Sequence, residues 1–364
     1  MRRYATALVA LLLIASGCGK DARDTAASQA GGGGAASSAA ASSAPKAQTI
    51  TLVTHDSFAA SDAVLKAFTE RTGITVNLVK GGDAGAEVNQ AILTKDHPQG
   101  DVLYGIDNTL LSKGLDAGIF EPYQSPALAS VDPAFDLDAQ QHRVTPIDES
   151  DVCVNFDKRV SPAPTSLDDL TKPAFKNKFV VENPATSSPG LAFLFATIAK
   201  YGETGYLDYW KALKANGVKV DDGWDAAYDN DFSVGSQDAG SRTAVVSYAT
   251  SPPADVVFAN PPKTTTDVGV LDDACYRQIE FAGVLKGTTH AEAAHTLIDF
   301  LLSKEFQEDM PLNMFVYPVR KGAALPQEFT TYSVKPANLV EVPQADVSQK
   351  REKWIDDWTA AVIG

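Results

Sequence analysis

The sequence predicts an α/β protein with two lobes around one cleft, and three observations carry that reading. From residue 48 the chain alternates strand and helix, a second strand–helix block begins near Thr145, and after about residue 285 the chain returns to the first block. A β-α-β-α-β order implies a parallel sheet with right-handed crossovers. Two lobes joined by two connections suit hinge closure on a ligand.

The elements follow in order. QTITLVTHDSF predicts a strand ending at His55, Asp56 and Ser57. SDAVLKAFTERTG predicts a helix capped by Ser61, with Val64, Leu65 and Phe68 on one face and Gly73 as its stop. ITVNLVKGG is a second strand running into Gly81, Gly82 and Asp83; GAEVNQAILTK is a helix; DVLYGI is a strand ending at Asp107 and Asn108; LLSKGLDAGIF is a helix. In the second block DVCVNFDK and KFVVENP read as strands, while PGLAFLFATIAKYG, with Pro189 at its start, and GYLDYWKALKANG read as helices. VKVDDGWDAAYDNDF is a short strand leading into a turn that carries Trp224. TAVVSYATSPPA is a buried strand that stops at Tyr248, Ala249, Thr250 and Ser251, with Ser251 as a helix N-cap and Pro252 at the first helical position. CYRQIEFAGVL leads back out, TTHAEAAHTLIDFLLSKEFQEDM predicts one long helix capped by Thr289 with Glu292 three residues on, and VSQKREKWIDDWTAAVIG predicts an amphipathic tail helix.

The N-terminus is organised differently. MRRYATALVALLLIASGCGK has two arginines, an apolar run and small residues before Cys18, the pattern of a secretory signal with lipoprotein-type cleavage. Residues 1–17 are read as the signal, Cys18 as the lipidated residue, and 18–47, rich in Ala, Gly and Ser, as a flexible tether. Diacylation of Cys18 anchors a protein to the outer face of a membrane. The lobes are assigned to 48–145 plus about 286–364 and to 146–285. Cys153 and Cys275 form an even pair outside the cytoplasm and are expected to be bonded to each other.

Charge narrows the partners. The 364 residues carry a net charge of −15, and loss of Arg2 and Arg3 with the signal makes it −17. Nucleic acid and anionic membranes both call for basic patches, so neither is expected to bind the folded part. The chain has no GxSxG, HExxH, Walker A or GxGxxG pattern, and His290 and His295 lie five apart, off a common helix face. No catalytic residue, metal site or cofactor is therefore expected. The strand-end loops instead gather aromatics, hydroxyls and a few carboxylates with little Lys or Arg. A flat cationic ligand suits that composition, its ring stacking on Trp or Tyr and its charge meeting π faces and carboxylate.

The stretches THDSFAASD, LVKGGDAGAEVNQ, DVLYGIDNTLL, ENPATSSPGLAFL, DGWDAAY, SYATSP and FVYPV occur in this order. Over about residues 50–364 the chain thereby resembles the thiamine-binding subunit of bacterial ABC importers, within the iron, spermidine and thiamine group of type II periplasmic binding proteins. The resemblance implies the two-lobe fold of that class, with a hinge and central cleft, and a protein that captures thiamine or its phosphates for an ABC permease as a monomer. It implies a site made of Asp83 with Ala84, of Ser187 and Ser188, of Trp224, and of Tyr248, Ala249, Thr250 and Ser251. His55 stands where the family has tyrosine, Ala254 where tyrosine is frequent, and Phe315 where the family has tryptophan. Readings to be weighed against this one are a binding protein for a polyamine or ferric iron, and a secreted hydrolase.

Overall fold

A computed structural model describes residues 48–235 and 240–364; the expected signal, Cys18 and the tether lie outside the described residues. The first strands and helices form where the sequence places them. β1 (Gln48–Thr54), α1 (Asp62–Thr72), β2 (Ile74–Lys80), α2 (Ala84–Leu93), β3 (Val102–Asp107) and α3 (Leu111–Ala117) alternate, and β4 (Phe120–Glu121) closes the run. The Ser61 hydroxyl accepts from the Val64 N–H at 3.2 Å, and Gly73 ends α1 at φ 72°. β1 lies between β2 and β3, parallel to both, as the alternation implies.

The chain continues through β5 (Thr145–Asp157), β6 (Phe179–Glu182), α4 (Ser188–Ala215), β7 (Lys219–Asp221), β8 (Ala244–Tyr248), α5 (Pro252–Val257) and β9 (Val268–Leu285). It ends with α6 (Ala291–Leu301), α7 (Lys304–Asn313), β10 (Tyr317–Pro318), α8 (Gln327–Tyr332), β11 (Leu339–Val340) and α9 (Gln344–Val362). One sheet runs in the order β2-β1-β3-β9-β5-β8-β6-β7. It is mixed rather than purely parallel, because β5 and β9, 13 and 18 residues long, run antiparallel to each other, β9 antiparallel to β3 and β5 to β8. These two strands join the β1–β3 half to the β6–β8 half. Their ladder shifts register between Pro146 and Asp148 and again between Val152 and Val154. Such bulges bend a strand and increase its twist.

Cys153 and Cys275 form the expected disulfide, which ties β5 to β9 beside the second register shift and packs against buried Ala249. Ile50, Leu52, Phe68, Leu297 and Phe306 fill the core on the β1 side, while Phe193, Phe195, Trp210, Trp354 and Trp358 belong to the other large cluster.

Two local expectations are corrected. The long helix after Thr289 is two helices, because the Ser303 hydroxyl accepts from the Phe306 N–H at 3.2 Å and starts α7 afresh. Thr289 does not cap α6; the helix begins after His290, where Asp101 holds the Thr288 hydroxyl and the His290 ring. The expected tail helix forms as α9, which packs on α4 through Trp354 and Trp358, with edge-on contacts to Phe195 and Trp210, and on α3, where Arg351 donates to Ser112 Oγ at 2.9 Å.

The disulfide closes a loop spanning 122 positions. Its reduction, or the C153S/C275S double substitution, is expected to lower the unfolding free energy by about 3–5 kcal/mol in urea titrations. Identical midpoints with and without reductant would show that β5 and β9 hold each other without it.

Candidate functional site

The sheet ends its strands around a cavity of about 500 Å³. Its walls come from the turns after β1, β7 and β8, from the first residues of α2 and α4, from the middle of β5 and β9, and from residues 313–316 after α7. Carboxyl ends of strands are where open α/β sheets place their ligands.

Asp83 shows why the two halves meet here. Gly82, at φ +93°, turns the chain so that Asp83 caps α2, its Oδ1 accepting from the Ala84 N–H at 2.7 Å. The same oxygen accepts from the Ser188 N–H at 3.2 Å, and Oδ2 accepts from the Trp224 N–H at 2.9 Å. One carboxylate thus joins α2 to the start of α4 and to the turn after β7. Burial pushes its pKa up, opposed by these amides. Gly85 permits the approach: a Cβ there would lie 2.6 Å from the Thr186 carbonyl, and the Ala86 N–H donates to that carbonyl at 2.9 Å. Ser57 adds a side-chain hydrogen bond to Asp225.

One wall is aromatic. The DGWDAAY stretch folds as a π-helical turn, Ala226–Asp231, which stacks Trp224 on Tyr228 at 4.7 Å and 17°. Trp224 Nε1 donates to Ser247 Oγ at 2.9 Å, which fixes the indole edge, and Tyr248 lies tilted at 6.2 Å. At another part of the lining Phe258, largely exposed, meets Phe315 edge-on at 5.5 Å. Phe315 has φ +57°, a strained value for a bulky residue.

A further part of the lining is acidic. Asp148 of β5 and Glu280 of β9 are direct cross-strand partners, 1% and 9% exposed. Tyr104 donates its hydroxyl proton to Asp148, and the His55 Nε2 lies 3.5 Å from the Glu280 carboxylate. Gly105, at φ +113°, leaves room for the imidazole; a Cβ there would lie 2.5 Å from the His55 ring. Burial alone would lower the His55 pKa, but Glu280, Glu87 and Asp83 outweigh it and raise the value to about 9. Asp148 is pushed well above the usual carboxylate range by burial and by Glu280. Gln278 donates from Nε2 to Asp107 at 2.7 Å and to the Ser188 hydroxyl at 2.8 Å, tying the floor to α4. Burial raises Asp107 to about 7, against hydrogen bonds from Thr109 and Gln278. Among the described residues the lining holds Asp83, Asp148, Asp229, Glu280 and His55, with no lysine or arginine.

Of the residues the sequence singled out, His55, Asp83, Ala84, Ser188, Trp224, Tyr248 and Ser251 line the cavity. Ser187, Ala249 and Thr250 do not. The Ser187 hydroxyl turns inward to accept from the Gly190 N–H at 3.4 Å, Ala249 sits in the cluster around the disulfide, and Thr250 shares a 2.6 Å hydrogen bond with Ser150. Ser251 makes no forward cap to α5; its hydroxyl meets Ser247 Oγ at 2.9 Å and accepts from the Tyr248 N–H at 3.3 Å. The sequence reading missed Asp148, Ser150, Tyr228, Gln278 and Glu280. The period of two in CYRQIEF puts Tyr276, Gln278 and Glu280 on one face of β9, and polar side chains there inside an apolar strand were a readable sign.

Comparison with known proteins places this geometry. Residues 98–349 match the family profile described as bacterial extracellular solute-binding protein. The thiamine-binding periplasmic proteins of Salmonella typhimurium LT2 and Escherichia coli K12 are each 28% identical, over 318 and 319 residues, covering 86% of this chain and 93% of their own. A solved periplasmic thiamin binding protein superimposes with a TM-score of 0.76 at 27% identity, covering 86% of this chain and 96% of that one.

The titrating groups fix a pH trend. His55 rises from 6.5 to about 9, Asp107 from 3.8 to about 7, and Glu149, buried although Arg277 opposes the shift, from 4.5 to about 7. All three bind protons more tightly folded than unfolded. Their contribution is complete below the unfolded values and is lost as pH climbs through the folded ones. The protein without ligand is expected to resist urea better at pH 5 than at pH 9, and H55N should remove the part of the decline lying between pH 6.5 and about 9. A midpoint rising over that interval would contradict the assignment.

Proposed function

Because the chain belongs to the bacterial extracellular solute-binding proteins, we propose that it captures thiamine or a thiamine phosphate outside the cytoplasm and delivers it to an ABC importer. The observation that carries the ligand class is the cavity itself. Its volume of about 500 Å³ falls in the ~300–1,000 Å³ range of small-molecule sites, and it sets an indole–phenol stack against an acidic floor. An aromatic cation matches both walls: stacking and cation–π attraction on Trp224 and Tyr248, and the Glu280 carboxylate with Asp148 across the ladder from it. The similarity to thiamine-binding relatives over most of both chains supports the same ligand class.

In this reading the protein works by binding, not turnover. A ligand favours closure only by interacting better with the closed arrangement. Trp224 and Tyr248 hold the rings, Ser188 and Ser251 offer hydroxyls to the polar end of the ligand, and Asp83 fixes the helix start that carries Ser188 and the turn that carries Trp224.

Titration calorimetry of the unfolded-and-refolded protein lacking residues 1–47 tests the ligand class. Saturable heat with thiamine or its phosphates, and none with spermidine or ferric citrate, is expected. W224A should weaken thiamine binding by about ten- to a hundredfold, from loss of stacking and cation–π contact. Binding of spermidine or ferric citrate alone would refute the reading.

The anchor is proposed from Cys18 and the small-residue stretch that follows it. Diacylation there would tether the folded part to the outer face of the cell membrane. The C18S variant is then expected in the soluble extracytoplasmic fraction, with the parent protein sedimenting with membranes; equal distribution of the two would exclude the anchor.

A further inference from the structure

We propose that Asp148 and Glu280 act together as the counter-charge that selects a ligand bearing a fixed positive charge. This rests on the cavity being the ligand site and assigns its specificity to two residues on the strands that join the halves.

The argument begins with the ladder. Like charges directly opposite each other on neighbouring strands are unfavourable, and burial makes them more so. Asp148 and Glu280 face each other in this way, close to apolar Ile147, Phe281 and Ala282, and the unfavourable pairing keeps the proton on Asp148 until a cation arrives. Within the protein they are only partly compensated. Tyr104 gives Asp148 a hydrogen bond but no charge. His55 stands beside Glu280, with Glu87 on α2 as a further carboxylate acting on the same ring.

The one nearby arginine is engaged elsewhere. Alternation along β5 and β9 puts Glu149, Asp151 and Arg277 on the other face, where Arg277 pairs with Glu149 at 3.1 Å and with Asp151. No lysine or arginine lines the cavity among the described residues. Among them no group of three or more His, Cys, Asp or Glu side chains has the arrangement of a metal site. With Trp224, Tyr228 and Tyr248 in the same lining, an organic cation fits the floor better than a bare metal ion. A buried acid pair that holds its proton on Asp148 and leans on the single imidazolium of His55 gains from a further cation, and that is the mark of a site shaped for its ligand.

Thiamine and its uncharged isostere, in which a thiophene carbon replaces the charged ring nitrogen, separate charge from shape. The wild-type protein is expected to bind thiamine at least about tenfold more tightly than the isostere, the scale of one charge-assisted contact. E280Q and D148N should weaken thiamine binding by a similar factor while leaving isostere affinity unchanged, so that the preference collapses. The unchanged isostere affinity also reports that the cavity has kept its shape. Equal affinity of the wild-type protein for both compounds would overturn the proposal without touching the assignment of thiamine. Equal losses for both compounds in the variants would overturn it too, by assigning the pair a structural role. A folded wild-type protein that binds neither compound would instead sink the thiamine reading and this proposal with it.

Discussion

The pairing of β5 with β9 is the constraint on which the rest of the molecule depends. These strands run through both halves of the sheet, so every wall of the cavity is positioned relative to their ladder. A one-residue slip in a ladder would turn each side chain to the opposite face. Here it would exchange Asp148, Gln278 and Glu280 for Glu149, Arg277 and Ile279, giving the cavity an arginine and leaving one strand carboxylate where there were two. The register shifts at Pro146–Asp148 and Val152–Val154 bend the strands, and the Cys153–Cys275 bond beside the second holds the strands together there. The same pairing that builds the sheet therefore sets the sign of charge in the cleft.

The second requirement is close approach of backbones from the two halves. Asp83 reaches the amides of Ser188 and Trp224 only because Gly85 lets α2 lie against Thr186, and Gly223 lies close against the Asp83 side chain. Charge-assisted hydrogen bonds to amides are stronger than neutral ones, which suits a junction formed by few groups. This changes the meaning of Asp83. From sequence it reads as a carboxylate facing the ligand; in the structure its oxygens are engaged by amides of three segments, and it acts by placing Ser188 and Trp224.

Much of this was legible in the sequence, for identifiable reasons. Helix caps are local, so Ser61 and Gly73 bound α1 as read, and the strand–helix alternation gave the parallel β2-β1-β3 group. Trp224, Tyr248 and His55 were found because they follow strands, and strand ends face the cleft. What escaped depends on pairings far apart in the chain. Asp148 and Glu280 are separated by more than a hundred positions and meet only across a ladder whose register no local pattern states. Thr250 and Ser187 lie off the cavity lining for the opposite reason. Each sits in the right loop, but a neighbouring partner, Ser150 or the Gly190 amide, takes its hydroxyl. Thr289 lost its capping role to Asp101, which binds Thr288 and His290 from a distant loop.

A ligand moves a closing equilibrium only through interactions that differ between the open and closed arrangements. The Asp83 and Ser57 contacts across the cleft are made within the protein, and Trp224 is already held by Tyr228 and Ser247. Such groups set where closure stops, and they do so for any ligand of suitable size. The acidic floor differs, because Asp148 and Glu280 share one rung of the joining strands and line the same cavity as the aromatic residues. A cation beside them stabilises their ionised forms and at the same time meets the π faces of Trp224 and Tyr248. A neutral molecule of the same outline meets only the second set. Shape is thus read by the walls and charge by the strand pair, and recognition of both depends on β5 and β9 keeping one register.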